Sequence, residues 1–174
     1  MGKSLSRSKT KKASTQAPSG RSHSTLVASS TKGHATVVGT FVHERMKNGK
    51  LVSVSTLIRS LEAGLPVHEL DDLGNMLELP MARLAPLLGI SKATLHRRKA
   101  AGTLDVAESD RVVRFARLLG KAASVMESIE NGRRWLMAPQ VGLGGAVPLE
   151  YAQTEVGARE VEDLLGRIDY GVYS

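Results

Sequence analysis

Twenty residues, Met81 to Ala100 (MARLAPLLGISKATLHRRKA), constrain the fold more than any other stretch of the chain. They read as two short helices around a tight turn. Leu84, Ala85 and Leu88 supply an inward face, Gly89 the reversal and Ile90 an apolar plug. Ser91 then offers a side-chain oxygen to an orphan N–H of the next helix. Two helices that cross closely want a small residue at the contact and a glycine where the chain turns back. Ala85, Gly89 and Leu95 stand at those spacings. Pro86 sets a condition, because proline has no N–H and clashes with the carbonyl four residues earlier. The first helix should therefore begin at Ala82 or Arg83, with Pro86 in its first turn, or else be kinked.

Charge sharpens the reading. Arg83, Lys92, Arg97, Arg98 and Lys99 fall between Met81 and Leu104, and no Asp or Glu does. A helix-turn-helix that reads DNA accounts for this; a solvated basic face on a helical bundle is the plainer alternative. With Leu95 inward, a step of about 100° per residue puts Ala93, Arg97 and Ala100 on the far side, with Lys92 and His96 flanking. Such helices enter the major groove with their N-terminal residues nearest the bases. Arg97, able to bond guanine O6 and N7 together, is the first candidate for base readout, followed by Lys92 and His96. Arg98 and Lys99 lie nearer the body and are expected on phosphates. Ser91 is first a cap and then a phosphate contact, and Thr94 fits either role.

The net charge of +7 is unevenly placed. Up to His43 there are seven Lys/Arg and no acids, and from Glu44 onward 17 basic residues meet 17 acidic ones. Five acids and no Lys/Arg lie between Ser60 and Pro80, and six acids face only Arg159 and Arg167 from Val147 to the end. A neutral body with one basic stripe suits a specific contact with an anionic polymer. Phe115, Trp135, Tyr151, Tyr170 and Tyr173 all lie downstream of that stripe. Stacking of unpaired bases is thus disfavoured where the positive charge sits, and duplex DNA is favoured over single-stranded RNA.

Residues 1–40 are rich in Ser, Thr, Lys and Gly and cannot bury enough surface to offset their ordering entropy. They read as a disordered basic arm that either adds salt-sensitive affinity for DNA or simply solubilises the chain. Residues 41–120 are expected to form the helix-turn-helix domain, with a short helix opening at Phe41. A second helix spans Val54 to Ala63 and stops at Gly64. A third carries Leu70, Leu73 and Leu77 after Pro66. Asp105 and Glu108 form a capping-box signature. A long helix follows, with Val112, Ala116, Leu119, Ala123 and Met126 in register, until Asn131-Gly132 interrupts it and a turn carries Trp135. Residues 121–174 form a second module: a Gly-rich loop from Pro139 to Pro148, a helical turn at Pro148 to Tyr151, and a last helix capped by Thr154. Val37 to Val42 is the best strand candidate. Tyr170 and Tyr173 stand in a tail that is either ordered by a partner or frayed.

No catalytic constellation emerges, so an enzyme is not expected, nor a cofactor. The chain has no cysteine, and His43-Glu44 and His68-Glu69 lack the second His of a zinc site. Gly142-x-Gly144-Gly145 lacks the spacing and the Lys of a phosphate loop. The longest uncharged run, Trp135 to Leu149, has 15 residues with two prolines and cannot span a bilayer. With no apolar core behind the basic N-terminus, a soluble intracellular protein is expected.

From Ala82 onward the sequence resembles the Xre/MbcA/ParS-type antitoxins of RES–Xre toxin–antitoxin pairs. The resemblance rests on Leu87-Leu88-Gly89-Ile90-Ser91 through Thr94-Leu95-x-Arg97-Arg98 and on Glu108-Ser109-x-Arg111. It continues through Arg134-Trp135-Leu136-x-x-Pro139, Leu143-Gly144-Gly145-x-x-Pro148-Leu149-Glu150 and Thr154-x-x-Gly157. It ends with Val161-x-x-Leu164-Leu165-x-Arg167-Ile168 and Tyr170-Gly171. It implies an all-α fold: a helix-turn-helix domain joined by a long helix to a small toxin-binding domain. It further implies a cytoplasmic bacterial homodimer that neutralises an NAD-consuming RES-domain toxin and represses its own operon on duplex operator DNA. Trp135, Leu164, Arg167, Ile168, Tyr170 and Tyr173 are the residues this reading places against the toxin, the acidic C-terminal segment facing a basic nucleotide site. A stand-alone helix-turn-helix regulator that senses a small ligand through its C-terminal domain is the alternative.

Overall fold

Each helix of this protein begins or ends on local chemistry that the sequence carries. The computed structural model describes residues 37–39, 41 and 53–172. Helix α1 spans Val54–Ala63, α2 His68–Leu77, α3 Met81–Leu87, α4 Lys92–Ala101 and α5 Val106–Val125. Helix α6 (Ile129–Met137) is followed by a 3₁₀ turn at Val141–Leu143, a short α7 (Pro148–Tyr151) and a final α8 (Glu155–Asp169). No strand occurs among the described residues; an isolated bridge joins Pro66 to Thr103.

Side-chain caps fix the starts. Ser91, Ser128 and Thr154 each accept from the backbone N–H three residues on. Asp105 and Glu108 complete a reciprocal capping box at α5. At the end of α3, Gly89 takes φ +65°, and its N–H donates to the Pro86 carbonyl at 2.9 Å. Ile90 N–H reaches back to the Ala85 carbonyl at 2.8 Å, which closes a Schellman turn and aims α4 across α3.

One core runs through the described residues, from Val38 to Leu165. Leu70, Leu73, Leu77, Leu84, Leu88 and Ile90 meet Val112, Phe115 and Leu119 on α5. The same cluster continues through Ala122, Leu136, Leu149, Val161 and Leu165. Helix α5, with 20 residues and so about 30 Å long, is the shared spine. Helices α1 and α2 pack on it, as do α6 and α8.

The all-α expectation holds, and three local expectations are corrected. Val37–Gly39 is helical, not a strand, and Val38 is fully buried in the core. Its N–H and that of Val37 donate to the buried Glu69 carboxylate at 2.9 and 2.7 Å, so this piece of the stretch expected to be disordered is tied to α2. Helix α3 starts at Met81, one residue before the earliest expected position, and Pro86 sits in its last turn. Having no N–H, Pro86 returns no helical hydrogen bond to the Ala82 carbonyl, which leaves α3 one bond short. Finally, Asn131-Gly132 does not interrupt a helix; both lie inside α6. The break comes at Met126 to Ser128, where Glu127 takes φ +64°. Gly132 serves close packing: a Cβ there would lie 2.5 Å from Ala123 N and 2.8 Å from the Ala122 carbonyl carbon. The helix expected to open at Phe41 lies outside the described residues apart from Phe41, which is helical.

Candidate functional sites

Two surfaces carry the features of binding sites, one on α4 and one between the Gly-rich loop and α8. Helix α4 buries none of its residues; Thr94, Leu95 and Arg98 are half-covered. Lys92, Ala93, His96 and Arg97 are exposed, and Lys92, His96 and Arg97 make no ion pair among the described residues. The expected base-reading trio thus shares one open face at the N-terminal half of the helix. Ser91 Oγ accepts from Thr94 N–H at 3.1 Å and donates to Thr94 Oγ1 at 3.0 Å, so the two hydroxyls first satisfy each other.

The C-terminal half of α4 is engaged differently from the expectation. Arg98 Nε donates to Glu108 Oε2 at 2.7 Å and its Nη2 to Asp105 Oδ2 at 2.6 Å. The hydrogen bond donated to Glu108 and the two carboxylate charges raise the guanidinium pKa further above its ordinary value against the opposing effect of burial. Asp105 is held below the usual carboxylate range, first by the Glu108 backbone N–H and then, against burial, by Arg98 and Arg111. Lys99 lies 3.4 Å from Asp71 across an exposed gap. A phosphate role for Arg98 therefore has to compete with two carboxylates already in place.

The second surface is a groove of about 360 Å³. Pro139, Gln140, Val141 and Gly142 form one wall and Leu164, Arg167, Ile168 and Val172 the other. Gln140 holds the loop shut: its N–H donates to Ala146 and its carbonyl accepts from Gly145, at 3.0 and 2.9 Å. Its Nε2 bonds the Trp135 and Ala138 carbonyls at 2.9 and 3.0 Å, capping the end of α6. Gly142 packs on Leu164 with no room for a Cβ. The rim is apolar and open: Val141 is 95% exposed and Val172 54%.

Three of the expected partner-facing residues, Leu164, Arg167 and Ile168, share this groove. Trp135 does not line it; the indole is half-buried against the core and its carbonyl anchors Gln140. Tyr170 caps α8 beside the groove, and Tyr173 lies outside the described residues. Val141 and Val172 were missed, and only the oddity of an aliphatic residue in a Gly-rich turn could have pointed to Val141.

The acidic C-terminal segment is partly occupied within the chain. Arg117 Nε donates to Glu162 Oε1 at 2.6 Å, and Arg114 Nε lies 3.0 Å from Glu155 Oε2. Burial opposes it, but Arg159, Arg114 and Arg117 together hold the Glu155 carboxyl below the usual range. Glu150, Glu160, Asp163 and Asp169 are exposed and unpaired among the described residues. No cluster of three metal-ligating side chains occurs among the described residues, and no helix there is long and apolar enough to cross a membrane.

Comparison with known proteins separates the two surfaces. Residues 56–117 match the antitoxin Xre-like helix-turn-helix domain, and residues 121–171 match the antitoxin Xre/MbcA/ParS C-terminal toxin-binding domain. An antitoxin Xre of Yersinia enterocolitica is 32% identical over 123 residues, covering 69% of this chain and 82% of the relative. The chain belongs to the Xre antitoxin family. An antitoxin Xre of Photorhabdus laumondii is 31% identical over 116 residues, 66% of this chain and 78% of its own length. One of Pseudomonas putida is 34% identical over 68 residues, 39% and 43% of the two chains. Helix α4 lies within the helix-turn-helix match, and all the groove residues but Val172 lie within the toxin-binding match. The two matched regions meet within α5, between Arg117 and Lys121.

Proposed function

We propose that this Xre-family protein neutralises a RES-domain, NAD-consuming toxin through the groove between its Gly-rich loop and α8, and represses its own operon through α4. The observation that carries the toxin half is the apolar groove rim of exposed Val141, half-buried Ile168 and exposed Val172, the first two inside the matched toxin-binding domain and the third immediately after it. Isolated exposed aliphatics are ordinary, but a contiguous set lining a concavity marks a protein interface. Arg167 on the groove wall and exposed Tyr170 supply the kind of anchor that dominates such interfaces. The four unpaired carboxylates around α7 and α8 favour approach to a basic surface.

For the DNA half, the support is the exposed Lys92, His96 and Arg97 face on a helix capped and turned as a major-groove reader requires. A homodimer would present two such helices to a two-fold operator. The basic residues before Gly33 would add sequence-independent affinity that falls with salt. Co-expression with the product of a neighbouring RES-domain gene, followed by purification on a tag carried by the toxin alone, tests the reading. Stoichiometric recovery of this chain and restored growth are expected. A toxin that elutes alone and still arrests growth contradicts it.

A further inference from the structure

Helix α4 is attached to the body by charge more than by burial. No residue of α4 is buried, and Leu95 is its one side chain packed, half-covered, against the core. Its strongest tie is Arg98, whose Nε and Nη2 reach Glu108 and Asp105 at 2.7 and 2.6 Å. These are the two residues of the α5 capping box. Asp105 Oδ1 accepts from Glu108 N–H at 2.7 Å, and Glu108 Oε2 accepts from Asp105 N–H at 2.9 Å. The guanidinium is thus the third corner of a closed network, and the Glu108 side chain is only 5% exposed. Lifting Arg98 onto a phosphate would leave that carboxylate buried without its counter-charge, which is strongly unfavourable. Carboxylates at this place also repel phosphate.

We propose that Arg98 is a positioning residue: through Asp105 and Glu108 it sets the angle at which α4 presents Lys92, His96 and Arg97, and it makes no phosphate contact. The inference rests on the DNA-reading role of α4. The planar fork of arginine matters here, since a lysine supplies the charge without the paired geometry.

The sign of one substitution separates the two roles. Glu108→Gln keeps an acceptor for the Asp105 N–H and removes a negative charge near the DNA face. If Arg98 positions the helix, Glu108→Gln and Arg98→Lys each weaken binding to duplex DNA from upstream of the gene roughly tenfold, with the slope of log K against log salt unchanged. If Arg98 holds a phosphate, Glu108→Gln binds more tightly, Arg98→Lys is close to neutral, and Arg98→Gln lowers the salt slope by about one. Any of those three results overturns the proposal. Amide hydrogen exchange in the free protein gives a second readout that needs no DNA. Faster exchange across Lys92–Ala101 in Glu108→Gln, with α5 protection kept beyond its first turn, is expected; unchanged exchange in α4 overturns the proposal. Wild-type protein that fails to distinguish its upstream DNA from random duplex sinks the DNA-reading role itself, and the exchange measurement still decides whether Arg98 fixes the helix.

Discussion

Arg133 on α6 closes the C-terminus of α2: its Nη1 donates to the Met76 carbonyl and its Nη2 meets Glu78 Oε1, both at 3.0 Å. The toxin-binding module thereby satisfies a further carbonyl of α2, beside the backbone cap that the Glu78 and Leu79 N–H groups make with Asn75 and Gly74. Glu78 stands at φ +52°, a left-handed position that costs an ordinary side chain about 1 kcal/mol. The two halves of this ion pair are therefore unequal. Arg133→Ala should destabilise by about 1–3 kcal/mol, because it leaves the Met76 carbonyl unpaired in a part-buried place. Glu78→Gly should be close to neutral, since relief of the backbone offsets loss of an exposed partner. Urea unfolding of both variants checks this, and equal losses would contradict it.

Gly132→Ala should be far more costly than a helical glycine replacement normally is. On an open helix the change would stabilise by up to about 1 kcal/mol. Here the new methyl meets the α5 backbone at Ala122 and Ala123, so α5 and α6 must part. A loss of about 1–3 kcal/mol or more is expected from overpacking. Thermal unfolding of the variant measures it, and a gain in stability would show that the two helices have room between them.

Much of this architecture was legible in the chain because its determinants are local. The Ser91 cap, the Asp105–Glu108 box, the Thr154 cap and the Gly89 turn each lie within a few residues of the groups they satisfy. The pairing of Arg98 with Glu108 and Asp105 was not legible, because its partners follow across a turn and the contact is tertiary. Gly132 was read as a break because glycine signals a turn and a close helix contact equally well. Leu164, Arg167 and Ile168 were named together by resemblance, and they line one groove. Val141 was not, since nothing in a Gly-rich loop says which side chain faces outward. The acidic surplus of the last helix looked free, yet Glu155 and Glu162 are taken by Arg114 and Arg117 some 40 residues upstream.

The ion-pair network sets the acid response. Asp105 and Glu155 both have lowered pKa values in the folded state. Their stabilising contribution is fully present above the unfolded carboxylate pKa of about 4 and is lost as pH falls through the lower folded values. Asp105→Asn keeps an N-cap but loses the charge. The stability gap between wild type and Asp105→Asn should be constant from pH 7 to pH 5 and should close below about pH 4. Denaturation curves across that range decide, and a gap that widens on acidification would contradict the assignment.

The groove rim makes a prediction that does not touch the core. Val141 is 95% exposed, so Val141→Asp should leave the melting temperature nearly unchanged. Its carboxylate would enter an apolar contact, and a loss of about 1–3 kcal/mol in toxin affinity, roughly 5- to 150-fold, is expected. Titration of the variant against purified toxin gives the number. Undiminished affinity would place the toxin on another face.

This reading has two surfaces of one chain act on two partners. Its most direct test is a crossed pair of variants, Arg97→Ala and Val141→Asp, each measured for binding to duplex DNA from upstream of the gene and for rescue of growth from the neighbouring toxin. Arg97→Ala is expected to lose selective DNA binding and keep full rescue, and Val141→Asp to keep DNA binding and lose rescue. If each variant instead loses both activities to the same degree, the division of labour between α4 and the α8 groove is wrong.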